Sequence, residues 1–184
     1  MSAPDRIEGL AIVSADGMIA DASGIQPAAL RIEADRQFLF AMIERAAALA
    51  HGRHSAESDP PPAQRRRIIL TRAVARIAAD PGNADVVLWN PAGAALAEAW
   101  AALGLRGGLL VVIGGTEAFG HFLGAYDAFH LSRAGNVRLP GGRPVFPGVP
   151  AQTPEAILQA CGLRLASTRT LDEAADLVLT SWRR

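Results

Sequence analysis

The chain has 184 residues, of which 50% are hydrophobic and 20% are charged, enough apolar material for one well-filled core. We therefore expect a single domain over residues 1–184. The 18 basic side chains balance 18 acidic ones, so no net positive field attracts nucleic acid or an anionic membrane. Every basic residue is arginine, which excludes mechanisms that need a lysine amine and favours planar capture of phosphate or carboxylate.

Cysteine usage and hydropathy exclude further classes of protein. Cys161 is the only cysteine, so no internal disulfide can form, and we expect it to be a small buried hydrophobic residue. No set of cysteines and histidines has the spacing of a structural metal site. The short apolar run Leu10–Val13 is not typical of a signal peptide, and no run is long enough to span a bilayer. These features predict a cytoplasmic protein with no metal, membrane or nucleic-acid partner.

The first half of the chain alternates strand and helix patterns. Ile7–Val13 predicts a buried strand that ends in a turn at Ser14–Gly17. The small and turn-forming residues of Asp21–Pro27 predict a mobile loop, a candidate lid. Apolar residues at helical spacing predict an amphipathic helix over Leu30–Arg45. The proline- and arginine-rich stretch 58–67 predicts a surface loop.

The second half continues this alternation. The apolar run Gly108–Ile113 predicts a central parallel strand that is buried on both faces. Alanine-rich Pro91–Leu103 predicts a helix that ends at Gly104. The other predicted elements are strands at Ile68–Thr71, Val86–Trp89 and Asp127–Arg133, a helix at Thr116–Leu123, a loop at Arg138–Gly148, and a closing strand pair at Leu163–Thr168 and Leu177–Trp182. This order predicts an α/β sheet with helices on both faces.

A glycine turn follows the predicted central strand. Gly114 and Gly115 stand between the strand and a helix that starts at Thr116, where a backbone can approach a ligand closely and free N–H groups can face an anion. A dinucleotide pyrophosphate fits this pattern, and so does a tight turn without a ligand. The pattern is not the Gly-x-Gly-x-x-Gly fingerprint of the common dinucleotide-binding fold.

Two further segments carry cations and hydroxyls suited to phosphate. In segment 51–55, His-Gly-Arg-His-Ser, a glycine allows the chain to turn and sets Arg53 beside a hydroxyl. Thr71 and Arg72 offer another hydroxyl and another cation at the end of a predicted strand. Taken alone, each of these residues also fits a solvated surface.

Together and in this order, these segments resemble the dihydrofolate reductase family and its structural relatives. The matching segments extend over nearly the whole chain, and the Gly-Arg-His-Ser and Ile-Gly-Gly motifs are specific as a pair. The segments are LAIVSADGMIA (Leu10–Ala20), HGRHSAES (His51–Ser58), RIILT (Arg67–Thr71), VVIGGTEAFGHFL (Val111–Leu123), FHLSR (Phe129–Arg133) and PVFP (Pro144–Pro147). The resemblance implies a three-layer α/β fold with a mostly parallel central sheet and an antiparallel C-terminal strand pair.

For the cofactor, the resemblance implies NADPH. It assigns Gly52–Ser55 to the adenosine 2′-phosphate and the pyrophosphate, and the glycine turn to the pyrophosphate and the nicotinamide. It also implies that Asp16–Pro27 is a mobile loop over the active site. The residues it assigns to the cofactor are Ala11, Ile19, Gly52, Arg53, His54, Ser55, Leu70, Thr71, Arg72, Ile113, Gly114, Gly115, Thr116 and Glu117.

For catalysis, the resemblance implies an acid at the start of the first helix that binds a pterin-type ring and assists its protonation. Asp35 is the best match, and Ser132 matches the hydroxyl that bonds this acid. Glu33 is the alternative acid. An acid in the first turn of a helix is also favoured by the helix dipole alone, without any catalytic role.

Three further residues match positions that contact the substrate in the family. Arg36 stands where the family has an apolar residue, Leu39 lies one turn further on, and Arg65 matches the arginine that binds the folate tail. A run of arginines such as 65–67 is also typical of a solvated face. The resemblance implies a small heterocyclic substrate, reduced by hydride transfer in a monomer or a homodimer.

A second branch of the same fold has similar motifs. The reductase domain of the bifunctional riboflavin-biosynthesis enzyme also starts with Ser-x-Asp-Gly-x-Ile-Ala, as Ser14–Ala20 does, and has a glycine-rich segment like Leu139–Pro144. Its substrate, 5-amino-6-(5-phosphoribosylamino)uracil, carries a phosphate for which Arg31 or Arg36 would be ligands. A third alternative is an NADPH-binding protein without catalytic activity.

Residues around 46–51 give two conflicting indications. Their alanine content favours continuation of the first helix, whereas the resemblance implies a strand at Ala47–His51 that delivers Gly52 and Arg53 to the cofactor. We expect the strand. We also expect Trp89 and Trp100 to pack in the core or at its rim. His121 and His130 are expected to be ordinary polar residues.

Overall fold

The described part of the chain, residues 2–53 and 65–184 of a computed structural model, folds around a nine-stranded sheet. His54, Ser55 and most of the predicted surface loop 58–67 lie outside the described residues. In order across the sheet, the strands are β10 (Arg164–Asp172), β11 (Leu177–Arg183), β8 (Ala128–Ala134), β1 (Arg6–Ser14), β7 (Leu109–Gly114), β3 (Ala48–Gly52), β4 (Arg67–Leu70), β6 (Asn83–Trp89) and β5 (Ile77–Asp80).

Most of the strand pairings are parallel. The six neighbours from β8 to β6 run parallel, whereas β10, β11 and β5 join by antiparallel pairing. Two short strands, β2 (Met18–Ala20) and β9 (Arg143–Pro144), form a separate antiparallel pair. The predicted central strand is confirmed, because β7 lies between β1 and β3 and buries Leu110, Val111 and Val112 completely.

Helices cover both faces of the sheet, as predicted. On one face, α1 (Glu33–Arg45) packs Met42 and Ile43 against Leu10 and Val111. On the other face, α2 (Leu96–Ala102), α3 (Thr116–His121) and α4 (Pro154–Ala160) contribute to the larger apolar cluster, which also holds the buried Trp89 and Trp100. Successive residues of β1 point to opposite faces, which is why a single strand supplies both clusters.

Two predicted helices begin later than expected. Helix α1 starts at Glu33 rather than Leu30, because Ala28–Leu30 forms a single 3-10 turn that buries Leu30. Helix α2 starts at Leu96 rather than Pro91, because the intervening residues form a turn around Asn90, whose backbone and side-chain oxygens accept hydrogen bonds from residues 92–94.

The predicted lid over Asp16–Pro27 is wrong for its first part. Met18 and Ala20 of β2 are buried, and β2 pairs with β9, so this part is a strand packed on the protein. The segment from Asp21 onward remains irregular. The burial expected for Cys161 is also wrong, because this residue follows the end of α4 and is only half-buried.

Candidate active site

The carboxyl ends of three adjacent strands bring most of the predicted cofactor residues to one edge of the sheet. His51 of β3 is in register with Gly114 of β7, and Gly52 of β3 is in register with Leu70 of β4. Adjacent strands lie about 5 Å apart, so the chain bends that follow these residues leave the sheet next to one another. The segments that carry Arg53, Gly115 and Thr71 are therefore neighbours in space.

The turn after β7 requires glycine. Gly115 has a φ of 73°, in the left-handed region that a side chain disfavours, and it directly precedes α3. The hydroxyl of Thr116 donates a hydrogen bond to the backbone oxygen of Pro144. Thr116 therefore ties the start of α3 to the β9 segment, a role that its sequence position did not indicate.

Arginines line the outer part of this edge. Arg53 is exposed, and Arg72 forms an ion pair with Glu117 at 3.6 Å, with both side chains more than four-fifths exposed. An exposed pair of this kind contributes little to stability, so Arg72 can exchange Glu117 for another anion at small cost.

Three of the predicted cofactor residues lie on different faces of the sheet. Ala11 is buried in the larger apolar cluster, and Ile19 packs against the same cluster from β2. Ile113, in contrast, packs toward α1. The cofactor positions taken from the sequence therefore do not all lie on one surface.

The predicted acid and hydroxyl come together between α1 and β8. Asp35 is 7% exposed, and the fully buried Ser132 lies close enough for its hydroxyl to act on the pKa of the Asp35 carboxyl. Desolvation raises the pKa of Asp35 to about 6, and the Ser132 hydroxyl opposes this rise. Among the described residues, neither Asp35 Oδ1 nor Ser132 Oγ has a hydrogen-bond partner.

A buried polar atom without a partner is costly, so the free Asp35 oxygen favours a bound ligand or water at this position. The alternative acid lies in a different environment. Glu33 is 68% exposed, accepts a hydrogen bond from Gln37 and lies 3.8 Å from the guanidinium of Arg36. Of the two first-turn acids of α1, Asp35 is therefore the buried one, and it is the one whose pKa is raised.

The predicted substrate residues lie along α1. The Arg36 guanidinium is 5.2 Å from the centre of the Phe40 ring, and Leu39 is half-buried against the sheet. Arg65 lies at the opposite end of the helix, where it donates a hydrogen bond to the backbone oxygen of Glu44 at 3.4 Å. The nine-residue separation of Asp35 and Glu44 corresponds to about 14 Å along the helix axis.

A cleft of about 360 Å³ opens at this far end of α1. Its lining includes two guanidinium groups and one carboxylate, from Arg65, Arg66 and Asp85, together with Ala46 and Ala47. Arg65 therefore lies at a cleft, at the other end of α1 from Asp35.

Sequence reasoning missed a structural role for Asp16. This carboxylate accepts hydrogen bonds from the Ser14 hydroxyl at 2.5 Å and from the Leu139 amide at 3.0 Å. These bonds lower its pKa in spite of partial desolvation. Asp16 thus fastens the glycine-rich segment after β8 to the end of β1. The Ser-x-Asp-Gly motif indicated a turn and a resemblance to the riboflavin-pathway reductase, but it did not indicate this link to Leu139.

Comparison with solved structures gives the fold. A protein from Shewanella sp. PV-4 described as a riboflavin biosynthesis protein matches with a TM-score of 0.64 and 16% identity, over 97% of this chain and 98% of that one. A dihydrofolate reductase from Enterococcus faecalis, complexed with NADP(H) and RAB-propyl, matches with a TM-score of 0.64 and 17% identity, over 100% and 99%. The fold is that of dihydrofolate reductase.

Another structure with the dihydrofolate reductase-like fold is longer than this chain. It is a diaminohydroxyphosphoribosylaminopyrimidine deaminase/5-amino-6-(5-phosphoribosylamino)uracil reductase from Thermotoga maritima, which matches with a TM-score of 0.66 and 19% identity. The match covers 98% of this chain but only 56% of that one. No family model and no curated protein matches the sequence. Among the described residues, no helix is long and apolar enough to cross a membrane.

Proposed function

We propose that this chain is an NADPH-dependent reductase of a pterin- or folate-type heterocycle, with Asp35 as the acid that orients the substrate and assists its protonation. The observation that carries the proposal is the buried carboxyl of Asp35, with one oxygen unpartnered and its pKa raised to about 6. A carboxyl in this state has both a vacant hydrogen-bonding site and a proton to hold near neutral pH.

The carboxyl edge of the sheet suits a dinucleotide phosphate. Gly115 leaves the backbone without a side chain where the chain bends, and Gly52 does the same on the neighbouring strand. Arg53 and Arg72 provide exposed cations for a 2′-phosphate, the group that distinguishes NADPH from NADH. When bound, NADPH would supply the hydride for the reduction.

Asp35 and Ser132 are suited to a ring that presents N–H groups and an imine nitrogen. The unpartnered Asp35 Oδ1 can accept a hydrogen bond from a ring amidine, while the Ser132 hydroxyl can hold the carboxyl in orientation. Burial keeps bulk water away from this carboxyl, so its proton stays available for the substrate. The chain's own contribution is thus orientation, exclusion of water and proton management.

The other end of α1 favours a substrate of the folate type. Arg65 and Arg66 form a cationic cleft about 14 Å along the helix from Asp35. A heterocycle bound at Asp35 with an anionic tail that follows α1 would reach these guanidinium groups. A small pterin without such a tail would not use them.

A riboflavin-pathway reductase is the second candidate. Arg36 directly follows Asp35 and its side chain is 45% exposed, so a guanidinium stands at the position where the folate branch has an apolar contact. This arrangement favours a substrate that carries a phosphate close to its heterocycle. A protein that binds NADPH but catalyses no reduction is the third alternative.

Oxidation of NADPH against three heterocycles tests these alternatives. Dihydrofolate, dihydrobiopterin and 5-amino-6-(5-phosphoribosylamino)uracil are each mixed with the enzyme and NADPH, and nicotinamide absorbance is followed. We expect dihydrofolate to be reduced fastest, with a higher KM in the Arg65→Ala variant. Reduction of the phosphorylated pyrimidine alone would favour the riboflavin branch, and tight NADPH binding without any reduction would favour the non-catalytic alternative.

A further inference from the structure

A polar network with a buried centre lies beside the candidate active site and is not used by the proposed chemistry. It consists of Arg6, Glu8, His130 and Ser181, and we call it the Glu8 network. His130 Nδ1 is 2.9 Å from Ser181 Oγ, and His130 Nε2 is 3.2 Å from Glu8 Oε2. The second oxygen of Glu8 is 2.5 Å from the Arg6 guanidinium. Both Glu8 and His130 are more than nine-tenths buried.

The hydrogen bonds of this network fix the imidazole ring. The hydrogen bond from His130 lowers the pKa of Glu8 in spite of its burial, so Glu8 is a carboxylate that only accepts. His130 Nε2 therefore donates to Glu8, and in the neutral ring Nδ1 accepts from the Ser181 hydroxyl. Because both ring nitrogens are held, the ring can neither rotate nor withdraw without breaking a buried hydrogen bond.

The fixed ring meets α1 at one side chain. Phe38 contacts His130 edge to face, with the ring centres 5.4 Å apart. Phe38 lies three residues after Asp35, so the two side chains occupy the same side of the helix. On β8, His130 lies two residues before Ser132, so these two side chains share the face that α1 covers.

The start of α1 is also held by apolar contacts on one side, where Ile32 and Ala34 pack against a cluster that contains Leu30 and Ala134. Its N-cap residue, Ile32, makes no side-chain capping hydrogen bond. The fully buried apolar side chains of the helix, Met42 and Ile43, lie in its second half. Asp35 Oδ1 itself has no hydrogen-bond partner among the described residues. The contact between Phe38 and His130 adds to these apolar contacts a link between the helical turns that carry Asp35 and the face of β8 that carries Ser132.

We propose that His130 is a positioning residue, held by the Glu8 network, that seats Phe38 and thereby keeps the Asp35 carboxyl buried against Ser132. Its consequence for catalysis rests on the proposed function, but its consequence for the burial of Asp35 does not. Loss of the contact would let the first turns of α1 move and admit water to the carboxyl.

Two variants break the contact in different ways. Phe38→Ala removes the aromatic ring from α1 and leaves the Glu8 network intact. It therefore tests the role of the ring contact even if His130→Gln folds poorly. His130→Gln keeps an N–H for Glu8 but has no ring for Phe38. Phe40→Ala is the matched control, because Phe40 is a half-buried phenylalanine of the same helix whose ring lies beside Arg36 rather than His130.

The readout is the pKa of the Asp35 side-chain carboxyl, followed by carbon-13 NMR in the protein without ligands. We expect Phe38→Ala and His130→Gln to lower this pKa by about one pH unit as the carboxyl becomes hydrated, with no change in Phe40→Ala. An unchanged pKa in both test variants, or an equal fall in Phe40→Ala, would overturn the proposal.

Kinetics separate this inference from the proposed function. We expect the two test variants to lower kcat about tenfold and leave the Kd for NADPH unchanged, because the contact lies on the substrate side of the sheet. A wild-type protein that reduces no heterocycle would refute the reductase, and the NMR series would still decide whether His130 seats Asp35.

Discussion

His51 at the end of β3 stands in register with Gly114 at the end of β7, although 63 residues separate them in the chain. This pairing puts the Gly52-Arg53 bend beside the Gly114-Gly115 bend, the arrangement that a shared nucleotide needs. If these two bends hold one NADPH molecule, a change at either of them should weaken its binding without unfolding the sheet.

Gly115→Ala should weaken NADPH binding about tenfold or more, because a methyl group at the bend keeps the backbone away from the cofactor. Its φ of 73° also predicts a stability loss of about 1–2 kcal/mol. Gly104→Ala is the matched control, because Gly104 has a φ of 70° and no atom within 4 Å of an added Cβ. Fluorescence titration with NADPH and urea unfolding measure the two effects. Equal affinities in both variants would contradict a cofactor role for this turn.

Arg53→Ala and Arg72→Ala should each weaken NADPH binding by about tenfold or more, since a hydrogen bond to a charged group contributes about 1.5–3 kcal/mol. NADH, which lacks the 2′-phosphate, should bind with nearly unchanged affinity. Arg106→Ala is the control, because Arg106 is exposed and precedes β7 at the other edge of the sheet. Calorimetric titration with NADPH and NADH measures both affinities. An equal loss of affinity for the two nucleotides would show that the arginines do not bind the 2′-phosphate.

Local sequence patterns predicted the centre of the sheet and the C-terminal strand pair at one of its edges, but they missed two short elements. The apolar run Gly108–Ile113 predicted a central strand because only a strand covered on both faces tolerates such continuous hydrophobicity. The edge strand β5, Ile77–Asp80, was not predicted because its four residues are too few for a clear alternation. Helix α4 was also missed, although Thr153 caps it and Pro154 occupies its first turn, which are both signals of a helix start.

Strand β3 shows why composition alone was insufficient. Its alanines favour a helix, but Ala48, Leu49 and Ala50 are fully buried between β7 and β4, and the sheet contacts outweigh the local preference.

The same distinction applies to the candidate site. Asp35 and Ser132 were found through a resemblance in short motifs, and the structure brings them together. Their roles stay predictions. Glu8 was not singled out, because its partner His130 is 122 residues away and no local pattern links the two. The burial that raises the pKa of Asp35 is likewise a property of packing between α1 and β8, which the sequence of the helix does not contain.

The raised pKa of Asp35 predicts how stability depends on pH. The folded protein binds this proton more tightly than the unfolded chain, so protonation stabilises the fold and the benefit is lost as pH rises from 3.8 to about 6. The loss corresponds to about 3 kcal/mol for Asp35 alone. Urea unfolding of the wild type and of Asp35→Asn at several pH values measures this contribution, as the difference between their free energies of unfolding. A pH-independent difference would show that Asp35 has an ordinary pKa.

The same group predicts the pH dependence of the reaction. The rate of hydride transfer should decline as pH rises through about 6, because the protonated carboxyl is the form that holds a proton for the substrate. Ser132→Ala removes the hydroxyl that opposes the rise in pKa, so its decline should move to higher pH. Stopped-flow measurements over a range of pH values check the decline in rate and its displacement in the variant. The same pH profile in Ser132→Ala and in the wild type would contradict the coupling of Asp35 and Ser132.

Single-turnover oxidation of NADPH in Asp35→Asn tests the central claim most directly. Asparagine keeps the size of the side chain but cannot hold the proton, so the rate of dihydrofolate reduction should fall by about 10²–10⁴-fold while the Kd for NADPH stays unchanged. Glu33→Gln, at the exposed acid of the same helical turn, should stay close to wild type. A wild-type rate in Asp35→Asn, or a loss in Glu33→Gln as large as in Asp35→Asn, would contradict Asp35 as the acid of this site.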